Sequence, residues 1–261
     1  MEKGASVILF PISLPIVKPG QRLDLIVFEA LQRNKFELRQ GDIICLASKI
    51  VSIAERRIVR LKKMRVSKTA RRLAAKYSIN EQLAQVVLHE ADTICGGVRG
   101  FLLTVKQGIL TANAGVDLKN SPIGTATLWP THPDVSASGL RTSLTRMGGS
   151  TLGVMIVDSR ITPLRLGTVG IAIGVSGFRT IRDDRGMRDL YGRRIVVTRA
   201  NLADDLASAA HLLMGERNEQ SGLVIIRNAP VTMVNTAPTK LTFDARNCLI
   251  GSSLSPFNLE D

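Results

Sequence analysis

The sequence predicts an α+β fold, mixed sheets with helices, on three observations. Apolar runs of strand length alternate with amphipathic stretches of helical period, but without a regular strand–helix–strand beat. Gly- and Pro-marked turns separate them, and no internal repeat is visible. The chain has 261 residues, 44% apolar and 22% charged, which is globular usage with enough length for one large domain or two intertwined ones.

The elements follow in order. Residues 6–10 read as a first strand and Leu14-Pro-Ile-Val17 as an extended segment after it. Helical periodicity over 24–33 comes from Leu25, Val27, Phe28 and Leu31, and Gly41-Asp42 then opens an apolar strand over 43–47. Residues 67–77 form a helix capped by Ser67, and 80–94 a second one capped by Asn80. Residues 101–105 and 109–112 make a hairpin around Gln107-Gly108. Beyond the proline-rich connection Trp129-Pro-Thr-His-Pro-Asp134, a helix over 135–147 stops at Gly148-Gly149. Strands over 152–158, 167–177 and 223–227 and an alanine-rich helix over 200–214 complete the pattern. From Pro230 onward periodicity is lost, so 1–230 is read as the folded region and 231–261 as a C-terminal tail that packs on a neighbour.

The formal charge is 35 − 22 = +13. Arg56, Arg57, Arg60, Lys62, Lys63, Arg65, Lys68, Arg71, Arg72 and Lys76 crowd one stretch, a field that attracts anionic partners. A solvated basic helix is the plain alternative. Aromatic residues are only 4%, with Trp129 the sole tryptophan, which argues against single-strand nucleic-acid binding by base stacking. Cys45, Cys95 and Cys248 are far apart and odd in number, so neither a disulfide framework nor a zinc site follows, and a reducing, cytoplasmic setting is expected. No apolar stretch approaches the ~20 residues of a membrane helix, and the N-terminus lacks a signal-peptide pattern.

Chemistry concentrates in acids that follow apolar or small residues. The run Leu152-Gly-Val-Met-Ile-Val-Asp158 reads as a buried strand carrying one carboxylate to the rim of a sheet, with the Ser159 hydroxyl beside it. Ala112-Asn-Ala-Gly-Val-Asp-Leu-Lys-Asn120 places Asp117 in a turn-forming segment, where bonding to its own backbone is the competing role. Two carboxylates of this kind suit a hard cation such as Mg²⁺ that also holds phosphate oxygens. Glu216 follows Met214-Gly215 at the negative end of a helix, which points to a cation or another partner there. No phosphate-binding glycine fingerprint of the common kinds is present. His89, His132 and His211 share no ligand spacing, and His89 and His211 are read as helix-face residues without catalytic duty.

In this order the segments resemble the coenzyme F-420:L-glutamate ligase family, the gamma-glutamyl ligases of deazaflavin coenzyme synthesis. The resemblance runs through Leu14-Pro-Ile-Val17, Gly41-Asp-Ile-Ile44, Ser48-Lys-Ile-Val-Ser52, the Asn-Ala-Gly-Val-Asp segment, Asp158-Ser159, Ala172-Ile-Gly-Val-Ser-Gly177, Asp189-Leu-Tyr-Gly-Arg193, Ala203-Asp-Asp-Leu-Ala207 and Leu213-Met-Gly-Glu216, covering roughly residues 6–228. It implies two intertwined domains of the gamma-glutamyl ligase type, pairing as a homodimer. It also implies a GTP-dependent ligase that joins L-glutamate to the glutamate-free coenzyme precursor through an acyl phosphate. Divalent Mg or Mn, with potassium as activator, is implied as well.

By motif position, the metal ligands fall on Asp117, Asp158, Ser159 and Glu216. GTP contacts fall on Leu14, Pro15, Ile16, Val17, Ser48, Lys49, Asn120, and on Met214, Gly215, Glu216, Arg217, Asn218, Glu219, Gln220 and Ser221. Asp158 and Lys49 are the candidate catalytic pair, one holding metal and the other offsetting phosphate charge. Two departures stand out. Ile53 replaces a family lysine, and Ile161-Thr162 stands where a Gly-Arg pair is usual, with Arg56, Arg57 or Arg160 as compensating cations. Asp183, Asp184 or a metal-bound water is the candidate base for the incoming amine. A relative with a different acceptor or amino acid is the second reading and a basic RNA-binding module a distant third.

Overall fold

The computed structural model describes residues 6–217, 219–236, 240–244 and 247–254. The chain divides into two compact units, each assembled from separate stretches. The first comprises residues 1–55, 130–159 and 168–241, and the second 56–129, 160–167 and 242–261. In chain order the first unit opens with β1 (Ile8–Ile12), α1 (Leu23–Arg33), β2 (Ile43–Ala47) and α2 (Ser48–Ala54). The second follows with β3 (Ile58–Arg60), α3 (Lys68–Tyr77), α4 (Glu81–Glu90), β4 (Thr93–Val98), β5 (Phe101–Lys106), β6 (Ile109–Ala112) and β7 (Thr125–Thr127). The chain then returns to α5 (Pro133–Gly148), β8 (Gly153–Ile161), β9 (Thr168–Ser176), β10 (Ile181–Asp183), β11 (Arg199–Asn201), α6 (Leu202–Met214) and β12 (Leu223–Arg227). The mixture is α+β.

The first unit is organised by a five-stranded sheet in the order β1-β12-β2-β8-β9. β12 runs antiparallel to both β1 and β2, whereas β2 and β8 are parallel, with Ala47 opposite Val157. β1, β2 and β8 therefore share one direction. Ile43, Cys45, Met155, Val157, Val224 and Ile226 pack with Ala203, Leu206, Ala207 and Ala210 of α6 in one core, and burial pushes the Cys45 thiol far up. α6 lies against β9 because Gly170 leaves room for it: a Cβ there would sit 2.4 Å from the Ala207 carbonyl oxygen. Asp204 and Asp134, in the first turns of α6 and α5, accept the backbone N–H groups of Ala172 (3.0 Å) and Val175 (2.9 Å), so β9, the last strand of the sheet, is covered by helices. At the start of β2, buried Asp42 receives a two-pronged contact from Arg227 on β12 (2.9 and 2.7 Å).

The second unit packs α3 and α4 with a three-stranded antiparallel sheet, β4-β5-β6, and the pair β3-β7. Leu73, Tyr77, Leu83, Val87, Ile94, Leu102, Ala114 and Leu128 form its core. Ser67 and Asn80 cap their helices as predicted, accepting from Ala70 N at 3.1 Å and Leu83 N at 3.0 Å. A buried ion cluster closes one side, where Glu90 accepts from Arg57 Nη2 (2.8 Å) and from Lys106 Nζ.

Several element bounds differ from the sequence expectation. The second capped helix ends at Glu90, and Ile94 belongs to β4. Residues 48–54 form a helix, and 199–201 pair with β10 before α6 begins. Part of the C-terminal stretch packs on its own chain: Arg179 N and Val234 N donate to Thr232 O and Gly177 O, and Val231, Met233 and Leu241 cover the sheet core. No helix among the described residues is long and apolar enough to cross a membrane.

Candidate active site

The shared direction of β1, β2 and β8 gathers the predicted site residues of the first unit at one edge of its sheet. Ala47 and Val157 are the last registered pair of β2 and β8, so Ser48-Lys49 at the head of α2 and Asp158-Ser159 further along β8 follow from adjacent positions. Strands in a sheet stand about 4.8 Å apart, which sets the scale of that juxtaposition. β12 begins at the same edge, Leu223 standing opposite both Ile12 and Leu46. Its approach segment is stitched in by Leu14 N donating to Gln220 O (3.1 Å) and Ala47 N donating to Gly222 O (2.9 Å). The segments 14–17, 48–49, 158–159 and 220–222 thus converge. Gly222 permits this closeness, since a Cβ there would lie 2.1 Å from Ile50 Cδ1 on α2.

The individual side chains divide as follows. Leu14 and Val17 are buried and anchor their segment, while Pro15 and Ile16 are exposed. Ser48 is buried at the head of α2, Lys49 is half-buried, and Asp158 and Ser159 are half-buried where β8 emerges from the core. Ser159 N donates to Asp158 Oδ1 at 2.8 Å. Met214 is buried at the end of α6, and Gly215, with φ +71°, turns the chain out of the helix. Glu216 Oε1 accepts from Thr168 Oγ1 (3.2 Å) and pairs with His211 Nε2 (2.9 Å). His211, read from the sequence as a plain helix-face residue, is therefore tied to a predicted ligand, and it answers the partner question posed by a carboxylate at the negative end of a helix. Beyond it, Arg217 N donates to the Glu219 carboxylate (2.7 Å), which backbone and Arg217 contacts hold below its ordinary pKa, and Ser221 Oγ donates to Glu219 O. Asn218 lies outside the described residues.

Asp117 and Asn120 belong to the second unit. A tight turn delivers Asp117: Asn113, Ala114 and Gly115 have φ of +50°, +53° and +70° in succession. The turn is locked by Leu102 N donating to Asn113 Oδ1 (2.8 Å) and Ala114 N donating to Thr104 Oγ1 (2.8 Å). Gly115 faces the buried indole of Trp129, 2.3 Å from where a Cβ would stand. Asp117 then bridges Thr127 through paired backbone bonds, and its Oδ1 accepts from Lys119 N at 2.8 Å. Strain concentrated in a buried turn that presents a carboxylate is characteristic of functional sites.

In the first unit Asp158, Ser159 and Glu216 offer oxygen alone, which fits a hard divalent cation in kind, and Asp117 of the second unit offers the same type of donor. Among the described residues no group of three or more His, Cys, Asp or Glu side chains is gathered as a metal cluster. Of the arginines weighed as compensating cations, Arg57 is committed to Glu90 and to Trp129 O (2.9 Å). The candidate bases are committed too. Asp183 is held by Arg185 (2.5 Å) with Arg199 at 3.6 Å, which keeps its carboxyl well below the usual range, and Asp184 accepts two bonds from Arg182 (2.9 and 3.3 Å).

A sheet edge that gathers oxygen donors and a lysine suits an enzyme's site, and comparison with known proteins gives its kind: the chain is a ligase. A model of the F420-0:Gamma-glutamyl ligase family matches residues 11–228, and the chain belongs to that family. Similar proteins named coenzyme F420:L-glutamate ligase include that of Methanopyrus kandleri, 40% identical over 212 residues (81% of this chain, 82% of the relative). Those of Methanothermobacter thermautotrophicus and Methanocaldococcus jannaschii are 38% identical over 218 residues (83% and 86%) and 39% identical over 225 residues (86% and 88%).

Proposed function

We propose that this chain is a GTP-dependent ligase that joins L-glutamate, through its α-amine, to the lactyl carboxylate of the glutamate-free form of coenzyme F-420. A further γ-linked glutamate is the natural extension of the same chemistry. The observation that carries the reading is the convergence of segments 14–17, 48–49, 158–159 and 220–222 at one sheet edge, in a chain whose relatives bear that name.

The chemistry requires activation. A carboxylate does not react with an amine in water because its oxygen leaves too poorly. Attack of the acceptor carboxylate oxygen on the γ-phosphorus of GTP expels GDP and makes an acyl phosphate. The glutamate nitrogen then attacks the acyl carbon, the C–N bond forms, and phosphate departs with the C–O electron pair. Nearly all the catalytic effort lies in positioning and charge neutralisation. Lys49 offsets phosphate charge, and the loops at 14–17 and 216–222 hold the nucleotide through backbone groups. In the first unit Asp158, Ser159 and Glu216 would hold Mg²⁺ or Mn²⁺, which would supply Lewis-acid neutralisation of the phosphates. Because Asp183 and Asp184 are tied in ion pairs, the amine proton leaves through solvent or another group. Potassium activation, pairing as a homodimer and a cytoplasmic setting belong to the same reading, the last supported by three free cysteines.

The test is incubation with the glutamate-free coenzyme, GTP, Mn²⁺ and labelled glutamate, followed by mass analysis. A product heavier by one glutamyl residue, formed with stoichiometric GDP, is expected. No adduct with glutamate would overturn the substrate assignment, and an adduct with another amino acid would replace it with the altered-specificity relative that Ile53 suggests.

A further inference from the structure

Glu216 lies just beyond the end of α6, where the helix dipole disfavours a carboxylate. Two donors from different elements nevertheless converge on one of its oxygens. Thr168 Oγ1, at the start of β9, donates to Oε1 at 3.2 Å, and His211 Nε2, in the last turn of α6, stands 2.9 Å from the same atom. The pair is half sheltered, with the His211 side chain 16% exposed and that of Glu216 37%.

The surroundings fix both partners. His211 sits over Gly170 of β9, where a Cβ would come within 2.6 Å of the His211 Cβ, so packing sets the ring's place. Gly215 folds Glu216 back toward that ring, and a Cβ at 215 would stand 2.4 Å from the Glu219 carboxyl carbon. The loop is thereby pinned at 215 from one side and at Glu219 by Arg217 N from the other. A His–carboxylate contact at a helix end can be a mere cap. Here a hydroxyl from another strand joins it on the same oxygen, which orients the carboxylate plane as well as its position.

We propose that His211 and Thr168 are positioning residues that orient the Glu216 carboxylate as an oxygen ligand for a divalent cation, an inference resting on the ligase reading above. The imidazole donates its Nε2 proton to Glu216, and the hydroxyl of Thr168 completes the clamp. Outer hydrogen bonds of this sort keep a ligand in the geometry that the cation requires, and their loss costs about 10–100-fold in metal affinity.

The experiment is calorimetric titration of the full chain with Mn²⁺ alone, on the parent protein and on His211→Ala, His211→Gln, Thr168→Val and Glu216→Gln. His211→Ala should weaken Mn²⁺ binding about 10–100-fold. His211→Gln, whose amide nitrogen donates from nearly the same place, should restore most of the affinity, which a purely structural role for the ring would not predict. Thr168→Val, isosteric and exposed, should weaken binding by a smaller factor while leaving the metal-free unfolding temperature unchanged, and it decides the matter alone if His211→Ala does not fold. Parent-like Mn²⁺ affinity in His211→Ala and Thr168→Val, beside weakened binding in Glu216→Gln, would overturn the positioning role and leave the ligase reading intact. Parent-like affinity in Glu216→Gln would instead remove Glu216 from the metal site, and the clamp's purpose with it.

Discussion

Substituting Gly115 by alanine tests how the Asn-Ala-Gly-Val-Asp segment presents Asp117. The residue has φ +70°, and a Cβ built there lies 2.3 Å from two atoms of the Trp129 indole, itself 1% exposed. Holding a residue with a Cβ in the left-handed region costs about 1–2 kcal/mol. Forcing a methyl group into a packed ring adds about 1–3 kcal/mol. Together Gly115→Ala should lose about 2–5 kcal/mol of stability in the second unit. Trp129 is the sole tryptophan, so its fluorescence reads this unit alone. With an m-value of about 2 kcal/mol/M, the urea midpoint should fall by about 1–2.5 M. Ala114→Gly is the control. It relieves a φ of +53° but loses a buried methyl group and gains chain entropy, for a net change within about 1 kcal/mol. A Gly115→Ala midpoint within about 0.3 M of the parent, at unchanged m, would refute the account of this turn.

Other outcomes follow from the same structure. Arg227→Met strands the buried Asp42 carboxylate with Arg39 N as a remaining donor (2.8 Å) and should cost about 3–5 kcal/mol, read by circular dichroism during urea unfolding; a loss below about 1 kcal/mol would show that the pair is dispensable. Asp158→Asn should keep the fold and abolish metal-dependent GTP turnover, and undiminished turnover would remove Asp158 from the site. Arg185 holds the Asp183 carboxyl low, so its contribution to stability is present above the unfolded-state pKa and fades as pH falls toward the folded value. Arg185→Gln should move the Asp183 titration midpoint upward in carboxyl-carbon NMR, and an unmoved midpoint would contradict the assigned cause.

Much of the fold was legible because local signals agreed with the tertiary solution. The apolar runs at 43–47 and 223–227 became strands with those bounds, and Gln107-Gly108 turned the predicted hairpin with φ of +53° and +76°. The departures have identifiable causes. Helix α2 carries Ile50, Val51 and Ile53 directly after an apolar strand, so its seven residues gave no clear helical signal, and Ile50 fits there because Gly222, distant in sequence but adjacent in space, has no Cβ. Helix α4 stops at Glu90 because Thr93 and Ile94 are needed opposite Val105 and Thr104 on β5, a pairing that helical periodicity cannot see. At the site, Asp158 announced itself as the acid ending a buried run. The His211–Glu216 contact was invisible because five residues is not a helical neighbour distance; the contact exists only because Gly215 breaks the helix between them. Asp183 and Asp184 pair chiefly with arginines two positions away, and only the longer Arg199 contact depends on the pairing of β10 with β11, which sequence spacing alone does not reveal.

The pairing of β1 with β12 has a consequence for how the protein is born. β1 ends at Ile12 and β12 begins at Leu223, so 210 residues lie between the first strand and the strand it pairs with. At about 5–20 residues per second, a ribosome takes roughly 10–45 s to make that stretch. During that interval the opening strand waits with its backbone unpaired, while the stretch around α3, α4 and their hairpin emerges and closes on near neighbours. The sheet edge where segments 14–17, 48–49 and 158–159 meet is thus completed only once β12 has been made, and a nascent chain arrested before β12 leaves it open.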